Sequence, residues 1–306
     1  MSTSASESSR ARARRLAGLP METISARVPF FATGLPTIRE IWRRRELVGL
    51  LVRRELRARY KGSSLGILWS LIKPLAQLLI YYFAIGQILG AARSIPSFAI
   101  FVFIGLTAWT LATEIITSGT RSIVDNAGLV KKVTLPREIF PLAAVGGALV
   151  NLGIQFVVLL GAMIAVGEFP LTWRALWVIP SLALIVTFCA AIALLLSALN
   201  VYLRDIQHLV EVVLIVAFWT SPIVYAYSFV SNLSLGWALQ LYLVNPITLG
   251  VLGMQRALWV AGADLPRSFP PELGPRILVA LLISAMLLWI SHRVFQKLQG
   301  NFAQEL

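Results

Sequence analysis

Five stretches of the chain, 68–89, 98–118, 139–166, 175–199 and 277–295, are apolar over the length a helix needs to cross a bilayer, about 20 residues. A sixth, 209–227, is shorter but of the same character. Backbone N–H and C=O groups cannot be solvated by lipid, so such segments close their own hydrogen bonds as helices. The fold class that follows is an all-α integral membrane protein with six transmembrane helices. Composition agrees: of 306 residues 58% are hydrophobic and 13% charged, with mean hydropathy +0.78, whereas a soluble domain is about one-quarter charged.

The net charge of +13 raises the question of a nucleic-acid partner, and the placement of the charges answers it. Fourteen of the 27 Lys and Arg residues precede Gly62, directly against the first apolar stretch. That clustering marks a cytoplasmic flank rather than a nucleic-acid surface. Residues 1–37, rich in Ser, Arg and Pro, lack the apolar core and cleavage site of a signal peptide and read as a disordered basic cytosolic tail. Placing the N-terminus, 119–138, 200–208 and the C-terminal end in the cytosol collects 21 of the 27 basic residues. Loops 90–97, 167–174 and 228–276 hold five, and Lys73 lies within a span. The bias puts both termini in the cytoplasm. The Ala- and Arg-rich composition points to a high-GC bacterium, whose plasma (inner) membrane is then the expected location.

Segment 228–276 departs from the simple pattern. Its apolar pieces "LSLGWALQLYLV" and "ITLGVLGMQRALWV" meet at Asn245-Pro246, and each is too short to cross the bilayer core. They predict a re-entrant helical hairpin, about 233–260, dipping in from the outer face. Two true spans would leave the charge bias unchanged; piece length and Arg256 favour the hairpin.

Ahead of the first span, residues 38–61 predict an amphipathic helix lying in the inner interface. Ile41, Val48, Val52 and Leu56 recur at helical spacing, with Arg43, Arg53, Arg54 and Arg57 on the other side. Arg45 and Arg59 intrude on the apolar side and have to snorkel. "YKGSSLG" supplies a turn into span one, and Pro74 a kink just inside it. The transmembrane domain proper is 62–306.

Two cytosolic loops are candidates for docking a partner. "NAGLVKKVTLPREIFPLAAV" carries a short amphipathic stretch around Leu129 and Val133, flanked by Lys131 and Lys132 and followed by Pro136 and Pro141. It fits a helix seated in a partner's groove and, on pattern alone, equally an ordinary basic loop. "LNVYLRDIQHLVEVVL" offers a second short polar link, Asn200 to His208.

No residue set points to catalysis or a metal. His208 and His292 lack Cys or carboxylate company at ligand spacing, Cys189 sits in an apolar run as a packing thiol, and Asp125, Asp205 and Asp264 are isolated. Glu114 and Lys73 fall near the inner ends of their spans, where snorkelling is cheap. There is no G-x-x-x-x-G-K-[ST] phosphate loop, so nothing here holds ATP.

Four ordered motifs, "LVRRELRARYKGSSLGILWSLIKPL", "NAGLVKKVTLPREIFPL", "LNVYLRDIQHLVEVVLIVAFWTSPIVY" and "LYLVNPITLGVLGMQRAL", resemble the membrane subunits of ABC type-2 transporters that export lipid-linked polysaccharides such as O-antigen, capsule and teichoic acid. The resemblance covers roughly 39–300. It implies a homodimer of six-span permeases, an interface helix carrying Arg53, Arg54, Arg57 and Arg59, a coupling helix after span two, and paired helices near the outer gate. It further implies two copies of a separate ABC ATPase subunit, holding the ATP and Mg that this chain does not. The ATPase would contact Asn126, Leu129, Lys131, Lys132 and Pro136, and Tyr202, Arg204, Asp205 and Gln207.

A lipid-linked sugar polymer implies a continuous channel, whose apolar sugar faces could slide over rings. Candidates in spans one, two and five are Trp69, Tyr81, Tyr82, Phe83, Trp109, Phe218, Trp219 and Tyr225, although single rings as readily pack helices or form interfacial belts. Asn151 and Gln155, four apart on span three, either line the passage or bond across helices. The substrate follows as a lipid-linked glycan of O-antigen, teichoic-acid or cell-wall galactan type. The alternatives are a drug or lipid exporter of the same superfamily, and an integral membrane glycosyltransferase, which would need acidic clusters that the loops lack.

Overall fold

The computed structural model describes residues 45–60, 63, 65–132, 135–232, 236–262, 265 and 267–306; the tail 1–37, the expected helical residues 38–44, Val133 and Asp264 lie outside them. The described part is a bundle of twelve α-helices with short 3-10 and π segments, all within the unit Glu40–Leu306.

Helix α1, Arg45–Tyr60, falls within the stretch 38–61 expected to be helical. Val48, Val52 and Leu56 are half-buried, while Arg53, Arg54 and Arg57 are exposed; the Arg59 side chain is outside the described residues. The chain then turns: Gly66, at φ +50°, donates its N–H to Ser63 Oγ at 3.2 Å, a left-handed conformation that glycine adopts without steric cost. Helix α2, Trp69–Tyr81, runs through Pro74 and widens into a π-helical turn, Tyr82–Ile88.

The central element is α3, Phe98–Asp125. It packs along α5, Ile139–Val166, and α6, Val178–Tyr202; between α3 and α5 stands the short α4, Ala127–Lys132. Helix α11, Leu273–Leu298, lies along α6 and is followed by α12, Phe302–Glu305. Helix α1 lies on α5, where a Cβ at Gly146 would meet Val52 Cγ2 at 2.7 Å. The missing side chain is the notch that seats α1.

The expected span 209–227 is helical only as α7, Ile206–Trp219. Thr220, Ser221 and Pro222 end it, since proline lacks an N–H and disfavours α geometry in the residue before it. The freed carbonyls find partners: Thr248 Oγ1 donates to Thr220 O at 3.3 Å, and Gln255 Nε2 to Pro222 O at 2.6 Å. Broken backbone at membrane depth is tolerated where such donors meet it. The short α8, Tyr227–Ser231, follows.

Helix α9, Gly236–Val244, and α10, Pro246–Leu258, meet at 84°. Asn245 makes the elbow: its side-chain oxygen accepts from Ile247 N at 3.0 Å, capping α10 with Pro246 at its first position. The paired helices are therefore present, but α10 is no interfacial helix. It is enclosed by α3 and α6, with Val251, Leu252 and Met254 fully buried.

Five helices are long and apolar enough to cross a bilayer, Trp69–Ile88, Phe98–Asp125, Ile139–Val166, Trp173–Tyr202 and Leu273–Asn301, and the elbowed pair taken as one broken span makes six. Leu79 and Ile80 on α2 and Phe83 in the π turn after it, Val212, Ile215 and Val216 on α7, and Leu282, Ile283 and Met286 on α11 are exposed. So much uncovered apolar surface suits lipid or a partner, not water.

Candidate functional site

The two loops singled out for docking converge at one end of the bundle. Asn126 breaks the helical run after α3 and accepts, through its backbone carbonyl, from Leu129 N at 2.9 Å and Val130 N at 3.1 Å, which starts α4. Its side chain donates to Ser122 O at 2.8 Å. Val130 is buried and Leu129 half-buried, whereas Lys131 and Lys132 point to solvent and Pro136 is half-buried. Val130 belongs to an apolar cluster with Ile123, Phe140, Phe295 and Phe302, against which Leu51 of α1 and Tyr202 also pack. Tyr202 stacks edge-on against Phe302 at 6.1 Å and donates to Leu298 O at 2.7 Å. Helices α1 and α4 and the end of α6 thus share one small core. Arg204 and Asp205 are exposed beside it, and Gln207 lies 3.5 Å from His208.

Sequence reasoning missed the linchpin of this core. Phe302 stands in the polar ending "QGNFAQEL" with no periodic neighbours to announce it, yet it is fully buried. Also unforeseen is a cavity of about 440 Å³ between α1, α3 and α5, where Arg54 and Glu55 face Arg121, Asp125 and Asn126.

The second region lies inside the bundle. A cavity of about 800 Å³ between α2, α3 and α5 is lined by Trp69, Lys73, Trp109, Thr113, Asn151 and Gln155, among others. Asn151 lines this cavity, and of the two roles expected for it the structure shows the cross-helix bond: its Nδ2 donates to Glu114 Oε2 at 2.6 Å, joining α5 to α3. Glu114 is consequently buried within the bundle rather than snorkelling. The carbonyl oxygens of Asn151 and Gln155 are buried without a hydrogen-bond donor among the described residues. Two indole faces, one ammonium and amide oxygens are the groups that hold a hydroxylated, partly apolar ligand such as a sugar.

The aromatic candidates divide. Tyr81 stacks on Phe218 at 5.7 Å, and Trp109 meets Phe218 edge-on at 5.5 Å, so rings from α2, α3 and α7 form one contact. Tyr82 and Phe83 pack edge-on, with Phe83 exposed. Trp69 and Trp219 are also exposed, and Tyr225 Oη donates back to Trp219 O at 3.0 Å. Among the described residues no group of three or more His, Cys, Asp or Glu is arranged to hold a metal ion.

With this geometry established, comparison with known proteins identifies its kin. Residues 46–259 match the ABC-2 type transporter family. The O-antigen export system permease protein RfbA of Myxococcus xanthus is 31% identical over 270 residues, 88% of this chain and 98% of the relative. A Klebsiella pneumoniae protein of the same name is 28% identical over 264 residues, 85% of this chain and 95% of the relative.

Proposed function

The chain belongs to the ABC-2 type transporter family, and from that premise we propose that it is the permease subunit of an ATP-driven exporter of lipid-linked polysaccharide, of O-antigen, teichoic-acid or galactan type. It is a multi-pass membrane protein and a transporter subunit rather than an enzyme, and it works with an ABC ATPase subunit. The observation that carries the cargo reading is the near end-to-end similarity to O-antigen export permeases.

Two copies form the passage. The exposed apolar faces of α2 and α7, both packed on α3 and touching through Tyr81 and Phe218, suit a second copy of the chain. Both termini lie in the cytoplasm of a bacterial inner membrane, where two ATPase subunits, holding ATP and Mg, seat on α4 and on residues 202–207. Movement of α4 reaches α1 through their shared core of Val130, Leu51 and Phe302, a rigid-body route between ATPase and membrane.

The test is a strain lacking this chain. It should accumulate lipid-linked polymer on the cytoplasmic side, and the tagged chain should copurify with its ATPase. Normal surface polymer in that strain, or drug sensitivity without accumulated polymer, overturns the reading.

A further inference from the structure

Positive charge is scarce at the end of the bundle remote from α1 and α4. The charge-derived topology puts five basic residues on the outer side, Arg93, Arg174, Arg256, Arg267 and Arg276. Three of the five, Arg174, Arg256 and Arg267, converge on one cavity of about 310 Å³, although they come from distant parts of the chain. The cavity also takes in Trp173 and Phe269 and has no carboxylate among the described residues that line it. A side of the membrane depleted of Lys and Arg gives no topological reason for such a cluster.

Two of these arginines, Arg256 and Arg267, are also prepared for a ligand. The Arg256 guanidinium lies 4.7 Å over the Trp177 ring; stacking occupies its face and leaves the N–H edge for hydrogen bonding. Neither Arg256 nor Arg267 pairs with a described carboxylate. Arg267 holds φ at +58°, a left-handed conformation unfavourable for a residue with a Cβ, and such strain gathers at ligand sites. The nearby Leu171 and Trp173 are 85% and 67% exposed, apolar groups suited to the bilayer interface.

We infer that this cavity binds a phosphate or diphosphate group at the outer surface of the bilayer. Guanidinium forks match phosphate oxygens in pairs, and the aromatic and apolar rim accepts a lipid chain beside them. Two sources share that chemistry: an anionic phospholipid headgroup, and the diphosphate joining an exported glycan to a prenyl carrier. The second source rests on the exporter reading above.

The experiment is equilibrium binding to the full chain, copurified with its ATPase in detergent, using farnesyl diphosphate, phosphatidylglycerol, sodium diphosphate and uncharged farnesol. R256Q and R267Q are compared with R93Q, which removes one outer charge away from the cavity. Each cavity variant should weaken anionic-lipid binding about tenfold, with R93Q unchanged and sodium diphosphate competing. A larger loss for farnesyl diphosphate assigns the glycan carrier, and a larger loss for phosphatidylglycerol assigns bilayer lipid. R267Q leaves the Arg256 stack on Trp177 intact, so it decides the matter should R256Q misfold. Farnesol binding as tightly as its diphosphate, no anionic lipid binding at all, or equal losses in R267Q and R93Q overturns the inference. The readout involves no export, so it stands or falls separately from the cargo reading.

Discussion

Arg121 donates from Nη2 to Glu211 Oε1 at 2.5 Å, tying the end of α3 nearest α4 to the first turns of α7. The side chains are 42% and 52% exposed, so solvent screens the pair and its static contribution is about 0.2–1 kcal/mol. R121A and E211A should therefore each change thermal stability little. Export should fall in both if α3 and α7 move together, and the exchanged pair R121E/E211R should recover part of it. Full export in both single variants would show that the link carries no motion.

The Val52 and Gly146 contact makes a stricter test of the interface helix. A leucine at 146 has no room unless α1 lifts, and overpacking of this kind costs about 1–3 kcal/mol. G146L should expose α1 to faster trypsin cleavage at Arg53, Arg54 and Arg57 while the chain stays in the membrane. G146A should show a smaller effect that V52A relieves. Unchanged cleavage in G146L would mean that α1 is not held there.

Phe302 joins α4, α6 and α11 in one core. Truncating a fully buried Phe costs about 3–5 kcal/mol, so F302A should lower the melting temperature by several degrees and reduce ATPase copurification. Y202F, which loses only the bond to Leu298 O, should cost about 1 kcal/mol. Undiminished ATPase binding by F302A would detach this core from docking.

Gln155 separates stability from transport. Its side-chain oxygen is buried without a donor among the described residues, so Q155L should leave stability equal or higher yet slow export if cargo touches the cavity. N151A instead removes the 2.6 Å bond to the buried Glu114, a contact of about 1–3 kcal/mol, and should destabilise. Normal export by a stable Q155L would take the cavity out of the cargo path.

Most of the fold was legible because lipid imposes helix on every apolar run, and one break was written as Asn245-Pro246. The extent of α7 was not: hydropathy continues through Ile223 and Val224, while the proline that ends the helix acts through backbone geometry. The faces of α1 could be read from the spacing of Val48, Val52 and Leu56, but its partner could not, since an empty position such as Gly146 has no signature until two helices meet. The docking loops carried pattern; Phe302, alone in a polar ending, carried none. The outer arginines were legible only as exceptions to a charge bias, because their convergence depends on folding.

The two glycines of α10 at 250 and 253 lie so near Ile185 and Ser181 of α6 that neither position has space for a methyl group. The Ile185 and Ser181 side chains fill the space that the two glycines leave, a fit that sliding or rotation of α10 against α6 would break. The perimeter helices α2 and α7 are packed more sparsely than this keystone, so a rearrangement that spares the α6–α10 fit is one that moves them.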